Sequence, residues 1–82
     1  MPGDLRAALA LFSRAKTAFE SLNVAERDAL VGWIDESPTD RERADRIAEV
    51  AVRANAADLV DLMAERGIRQ RATTANGGDG GN

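Results

Sequence analysis

The sequence predicts an all-α fold, a small bundle of three to four helices with a disordered Gly-rich C-terminal tail. Three observations lead there. The body is rich in Ala, Leu, Arg and Glu, with Pro only at positions 2 and 38. Its apolar residues recur at i, i+3, i+4, i+7 spacing. Helix-start signals stand before residues 24 and 38. The 82 residues divide into an N-terminal extension over 1–3, a helical domain over 4–67 and a flexible tail over 68–82. Helices are expected at about 4–21, 24–36, 38–54 and 56–66.

In the first of these, Leu5, Ala8, Leu9, Phe12, Ala15, Phe19 and Leu22 form one stripe, with Arg6, Arg14, Lys16 and Glu20 largely outside it. Periodicity allows either one helix over 4–21 or two, the second starting at a cap on Ser13. Asn23-Val24-Ala25-Glu26 then has the N-cap and N3 residues of a capping box. The apolar face that follows is Val24, Leu30, Val31 and Ile34, with Trp33 at its edge. Ser37 is the expected cap of the third helix, with Pro38 in its first turn and Asp40 and Glu42 near the positive end of its dipole. That helix carries Ala44, Ile47, Val50, Ala51 and Ala54 on one side. Opposite charges at i,i+4, Arg41–Asp45, Glu42–Arg46 and Glu49–Arg53, lace the others.

Beyond Asn55 the stripe changes phase: Val52, Leu59 and Met63 align with each other and not with Ile47 and Ala51. Either the helix turns a second surface outward or it restarts with Asn55 and Asp58 as a capping pair. Gly67 is the expected C-terminal stop. Leu59, Leu62 and Met63 can pack on the domain's own core or offer a face to a partner or a second copy. Residues 73–82 hold four of the seven glycines and a single charge, too little apolar surface to offset the entropy of ordering. The run Gly77-Gly78-Asp79-Gly80-Gly81 lacks the Lys and following helix of a phosphate loop.

Composition removes several kinds of function. With 11 Lys+Arg against 14 Asp+Glu the net charge is −3, which provides no general basic field for nucleic acid. There is no Cys, His or Tyr, hence no disulfide, no thiolate or imidazole metal site and no imidazole base. A domain of this size has about 5 kcal/mol of net stability, so most of its apolar residues are needed for the core. Ten of the eleven basic residues are Arg, read as codon bias. The acid at Asp4 and the short apolar stretch 7–12 suit neither a secretory signal nor a membrane span. A cytoplasmic protein without membrane insertion is expected.

Two groups of residues are singled out as sites. Trp33 either closes the junction of two helices with its indole N–H on a carbonyl, or anchors a partner. Arg43 and Arg46 lie on one side of a helix and either pair internally with Glu36, Asp35 or Glu49, or clamp a phosphate or acidic peptide beside Trp33. The acids do not make an enzyme site. Asp35 and Glu36 point about 100° apart on a helix, and Glu42, Asp45 and Glu49 stand among Arg residues as a solvated face. Nothing in the sequence combines nucleophile, base and oxyanion donors. No cofactor or metal is expected.

Phe19-Glu20-Ser21-Leu22, Trp33-Ile34-Asp35-Glu36 and Arg43-Ala44-Asp45-Arg46-Ile47-Ala48-Glu49 carry a further signal. Their Phe-x-x-Leu, Trp-Ile followed by two acids, and Arg-x-x-Arg-Ile resemble the C-terminal helical domain of the YdeI/OmpD-associated, bacteriocin-protection family. The likeness spans about residues 4–55, with Leu5 and Ala8-Leu9 fitting the leading helix. It implies a helical domain linked to porin expression or bacteriocin resistance, without a settled catalytic site. The combined expectation is a non-enzymatic protein-interaction or regulatory module, with Trp33, Arg43, Arg46, Leu59, Leu62 and Met63 as partner-binding residues. The protein partner is unknown, and a homodimer through 59–63 is a further reading. The alternative is a helix-turn-helix DNA-binding regulator of sigma-factor-like type, from residues 22–30 followed by Thr39-Asp40-Arg41-Glu42-Arg43. Against it stand the turn Glu36-Ser37-Pro38, which lacks a Gly, and the equal numbers of acids and bases opening the second helix.

Overall fold

The structure is a computed structural model describing residues 1–68. The expected tail therefore lies, apart from Ile68, outside the described residues. Five helices follow one another: α1 Gly3–Ala10, α2 Ala15–Glu20, α3 Val24–Asp35, α4 Asp40–Asn55 and α5 Leu59–Arg66. No strand is present among the described residues, and the all-α class holds.

The stretch over 4–21 is two helices. After Ala10 the backbone tightens into i→i+3 bonds, with Leu11 N–H donating to Ala8 O at 3.1 Å and Ala15 N–H to Phe12 O at 3.3 Å. Ser13 is not the cap of the second helix. Arg14 occupies that position, and its N–H donates to Asn55 Oδ1 at 3.3 Å, across 41 residues of chain. The carbonyls of Glu20 and Leu22, where α2 gives way to the next turn, each accept from Arg27 Nη1 at 3.1 Å. Both ends of α2 are thus served by other helices.

The capping box of α3 forms as expected: Glu26 N–H donates to Asn23 Oδ1 at 2.8 Å, and Asn23 N–H to Glu26 Oε1 at 3.0 Å. Ala29, Leu30 and Ile34 make its buried face. Val24, expected there, is exposed at the first helical position. The cap of α4 is Thr39, whose Oγ1 accepts from Glu42 N–H at 3.0 Å, and not Ser37. Ser37 closes α3 by donating its hydroxyl to Ile34 O. Pro38 then stands outside α4, directly before the cap.

α4 is the central element and packs against all four others. Its buried side is Ile47, Val50, Ala51 and Ala54; Ala44, expected with them, is exposed. Of the three expected i,i+4 pairs, Glu42–Arg46 closes at 3.3 Å and Glu49–Arg53 at 3.8 Å, while Arg41–Asp45 is absent from the ion pairs of the described residues. After Asn55 the chain turns and restarts, through a left-handed Ala57 (φ 57°). Ala57 N–H donates to Ala54 O at 3.0 Å and Asp58 N–H to Arg53 O at 2.8 Å, the paired bonds of a Schellman motif. Asn55 and Asp58 are no capping pair: Asn55 serves α2, and Asp58 makes no side-chain cap bond. α5 ends in the same motif, with Gly67 (φ 66°) left-handed and Ile68 N–H donating to Met63 O at 2.9 Å.

The core is continuous through all five helices. Its largest fully buried side chains are Leu5, Leu9, Phe19, Leu30, Ile34, Val50 and Leu62, and no polar or charged side chain among the described residues is buried. A charged seam joins α4 to α5. Arg53 pairs with Asp58 at 2.6 Å and Glu65 at 2.7 Å, and Arg66 with Glu49 at 2.9 Å.

Candidate functional site

Leu59, Leu62 and Met63 form the inward face of α5 and are buried in the common core. They present no surface to a partner or to a second copy. Of the two expected readings, these side chains take the first, packing on the domain's own core, and are not exposed for a partner-binding role. The amphipathic side of a short helix must be covered, and here α4 and its neighbours cover it.

The other three residues meet at the α3–α4 junction, but they do not form a clamp. Arg46 lays its guanidinium over the Trp33 ring, 4.9 Å from the ring centroid. Its Nη1 donates to the Trp33 carbonyl at 2.6 Å and its Nε to Glu42 Oε2 at 3.3 Å. Trp33 is half-buried against the core.

Arg43 turns the other way. Its Nε donates to Asp4 Oδ2 at 2.7 Å, its Nη2 to Asp4 Oδ1 at 3.2 Å, and its Nη1 to Asp35 Oδ1 at 2.8 Å. The hydrogen bond from Arg43 holds the Asp4 carboxyl below the usual carboxylate range. The bonds to Asp4 and then Asp35 raise the Arg43 pKa in return. Asp35 was an expected partner. Asp4, 39 positions away, was not, because that contact exists only once α1 lies along α4.

Sequence reasoning missed the groove between α1 and α4, an open concavity of about 610 Å³. One wall is a stripe of α4, Ala44, Ile47, Ala48, Ala51 and Val52. The other is Ala8, Leu11 and Phe12. Asp4, Asp40 and Arg43 stand at one end. Leu11 is 78 % exposed and Val52 54 % exposed. The available signal was their position: Leu11 falls outside the first apolar stripe, and Val52 is out of phase with Ile47 and Ala51. A smaller hollow of about 240 Å³, lined by Ala18, Ser21, Leu22, Ala57, Leu59 and Val60, lies where α2 meets α5. Among the described residues, no group of three or more carboxylates is placed to hold a metal ion, and no helix is long and apolar enough to cross a membrane.

Taken together, these features define a small helical-bundle domain whose ionic groups lock helices together and whose α1–α4 groove is open and mostly apolar. The chain belongs to the bacteriocin-protection, YdeI or OmpD-associated family, whose model matches residues 1–56. Those residues comprise α1 to α4, so both walls of the groove lie inside the matched segment and α5 lies beyond it. Comparison with curated proteins and with solved structures gives no match.

Proposed function

We infer that this chain is a small non-enzymatic protein-interaction or regulatory module acting in the cytoplasm. One observation carries the reading: Arg43 and Arg46 are committed to internal partners, while Leu11 and Val52 stay uncovered beside an open groove. Uncovered apolar side chains along an open concavity suit association with another macromolecule. Arg43 lines this groove, and the edge formed by Trp33 and Arg46 is included in the proposed surface.

A DNA-reading role for the first turn of α4 has less support, since Arg43 would first have to leave Asp4 and Asp35.

The test is an isotope-edited titration of the folded protein against cell-extract fractions, following the Trp33 indole signal and the groove amides. It is run on the native chain and on a variant carrying Arg43→Ala and Arg46→Ala. The double variant is expected to melt lower and to bind more weakly at a temperature where it remains folded. A lowered melting temperature with unchanged binding would return both arginines to a purely structural role. Binding of no fraction, or turnover of a compound by the purified protein, would overturn the reading as a whole.

A further inference from the structure

We propose that the α1–α4 groove seats an amphipathic α-helix of a partner protein, with a Lys or Arg at one end of that helix meeting Asp40 and Asp4. The inference rests on the interaction role above and names the surface and the chemistry of its occupant.

The shape suits a helix. Asp40, Arg43, Ala44, Ile47, Ala48, Ala51 and Val52 recur at i, i+3, i+4, i+7 spacing along α4, while the opposite side is Asp4 and Ala8 of α1 followed by Leu11 and Phe12 of the turn after it. The pairings Arg43–Asp4 and Arg14–Asn55 at either end show that α1 and its following turn run beside α4 in the same direction. The groove is thus a cleft between two near-aligned helices, about 18 Å along α4 at 1.5 Å per residue, enough for about three turns of a third. Ala44 and Ala48 are exposed, so a helix can approach to the usual 8–10 Å spacing without displacing large side chains. Leu11, Phe12 and Val52 provide the larger apolar contacts at the far end.

Charge selects among occupants. Arg43 already serves the carboxylates of Asp4 and Asp35. Asp40, at the mouth of the same end, is exposed and belongs to none of the ion pairs of the described residues. Of the charged side chains lining that end of the groove, Asp4 and Asp40 outnumber Arg43 by one, which favours a cation on the incoming helix. A second copy of the chain, with its net charge of −3, meets repulsion where a basic helix meets attraction.

The probe is a pair of synthetic 14-residue helical peptides with the same Leu stripe, one carrying Lys and the other Glu in a terminal turn. Each is titrated at low salt into the isotope-labelled full chain. The Lys peptide is expected to shift the amides of Leu11, Ala44, Ala48 and Ala51, and the Glu peptide to bind about fivefold more weakly. Ala48→Arg should block binding with an unchanged melting temperature, because that side chain points to solvent. Should Ala48→Arg fail to fold, Ala44→Gln serves the same purpose. Asp40→Lys should remove the preference for the Lys peptide.

Equal affinity for both peptides, or binding that survives both Ala48→Arg and Ala44→Gln, would overturn the proposal. Sedimentation of the protein alone showing a dimer that Ala48→Arg dissociates would overturn it in favour of a second copy. Shifts confined to the edge at Trp33 and Arg46, or no shift with either peptide, sink the groove alone; whether the chain binds protein at all is read separately from the extract titration.

Discussion

Ala57 and Gly67 occupy equivalent places in two successive turns, each in the left-handed region after a helix end. Only one of them is the residue that this conformation favours. A Cβ in the left-handed region costs roughly 1–2 kcal/mol, partly offset for Ala by the larger entropy that Gly loses on folding. Ala57→Gly is therefore expected to stabilise the fold by about 0.5–1 kcal/mol, and Gly67→Ala to destabilise it by a similar amount. Thermal or urea melts of the two variants check both signs. The strain at Ala57 is held by Arg53, whose pairing with Asp58 and Glu65 fastens α5 just after the turn.

At the scale of the helices, the ends show how far local sequence reaches. Asn23 and Glu26 are three residues apart and make their box from local geometry, so the sequence pattern suffices to place it. The cap of the α3–α4 connection lies two residues further on than the pattern places it. Ser37 and Thr39 can both cap, and the pattern around Pro38 favours Ser37. In the structure Thr39 has the extended backbone (φ −139°, ψ 162°) a cap needs, while the Ser37 hydroxyl returns to the Ile34 carbonyl. Thr39→Ala should thus cost about 1 kcal/mol and Ser37→Ala distinctly less. A larger loss for Ser37→Ala in parallel urea melts would refute the assignment. The periodicity allowed a break between α1 and α2 but could not choose it or place its cap, since the start of α2 at Arg14 is served by Asn55 and the Glu20 and Leu22 carbonyls at its other end by Arg27.

For the molecule as a whole, α5 completes a core that the family-matched segment starts. Leu62 is fully buried, and removing a buried Leu side chain costs about 2–5 kcal/mol. A domain of this size has only about 5 kcal/mol in all. Leu62→Ala is therefore expected to leave the chain largely unfolded at 37 °C, read as loss of helical circular dichroism.

Stability should also depend on acid. Asp4 and Glu65 are held below their usual carboxylate values by hydrogen bonds from Arg43 and Arg53. Their contribution is complete above the unfolded carboxylate range near pH 4 and is lost as the pH falls through the lowered folded values. Asp58 is lowered first by its hydrogen bond with Asp61 and then by Arg53. Asp61 is pushed up by Asp58, so its ionisation opposes folding and its protonation relieves that opposition. The melting temperature should hold or rise slightly as the pH falls towards 4, then drop. A carboxyl NMR titration should find Asp61 protonating at higher pH than Asp58.

The helical class, the α3 capping box, the Gly67 stop and the membership of the family could all be read from residues lying close together in the chain. Such features depend on spacings of three or four residues, which the helical repeat converts directly into shared faces and closed hydrogen bonds. The partners of Arg43, the break before α2, the burial of α5 and the groove depend on which helix lies beside which. Arg43 had Asp35 nearby in sequence and Asp4 far off, and only the placement of α1 along α4 brought both to one guanidinium. Leu59, Leu62 and Met63 form a stripe equally suited to a core or to a partner. Periodicity says that such a stripe must be covered; packing decides by what.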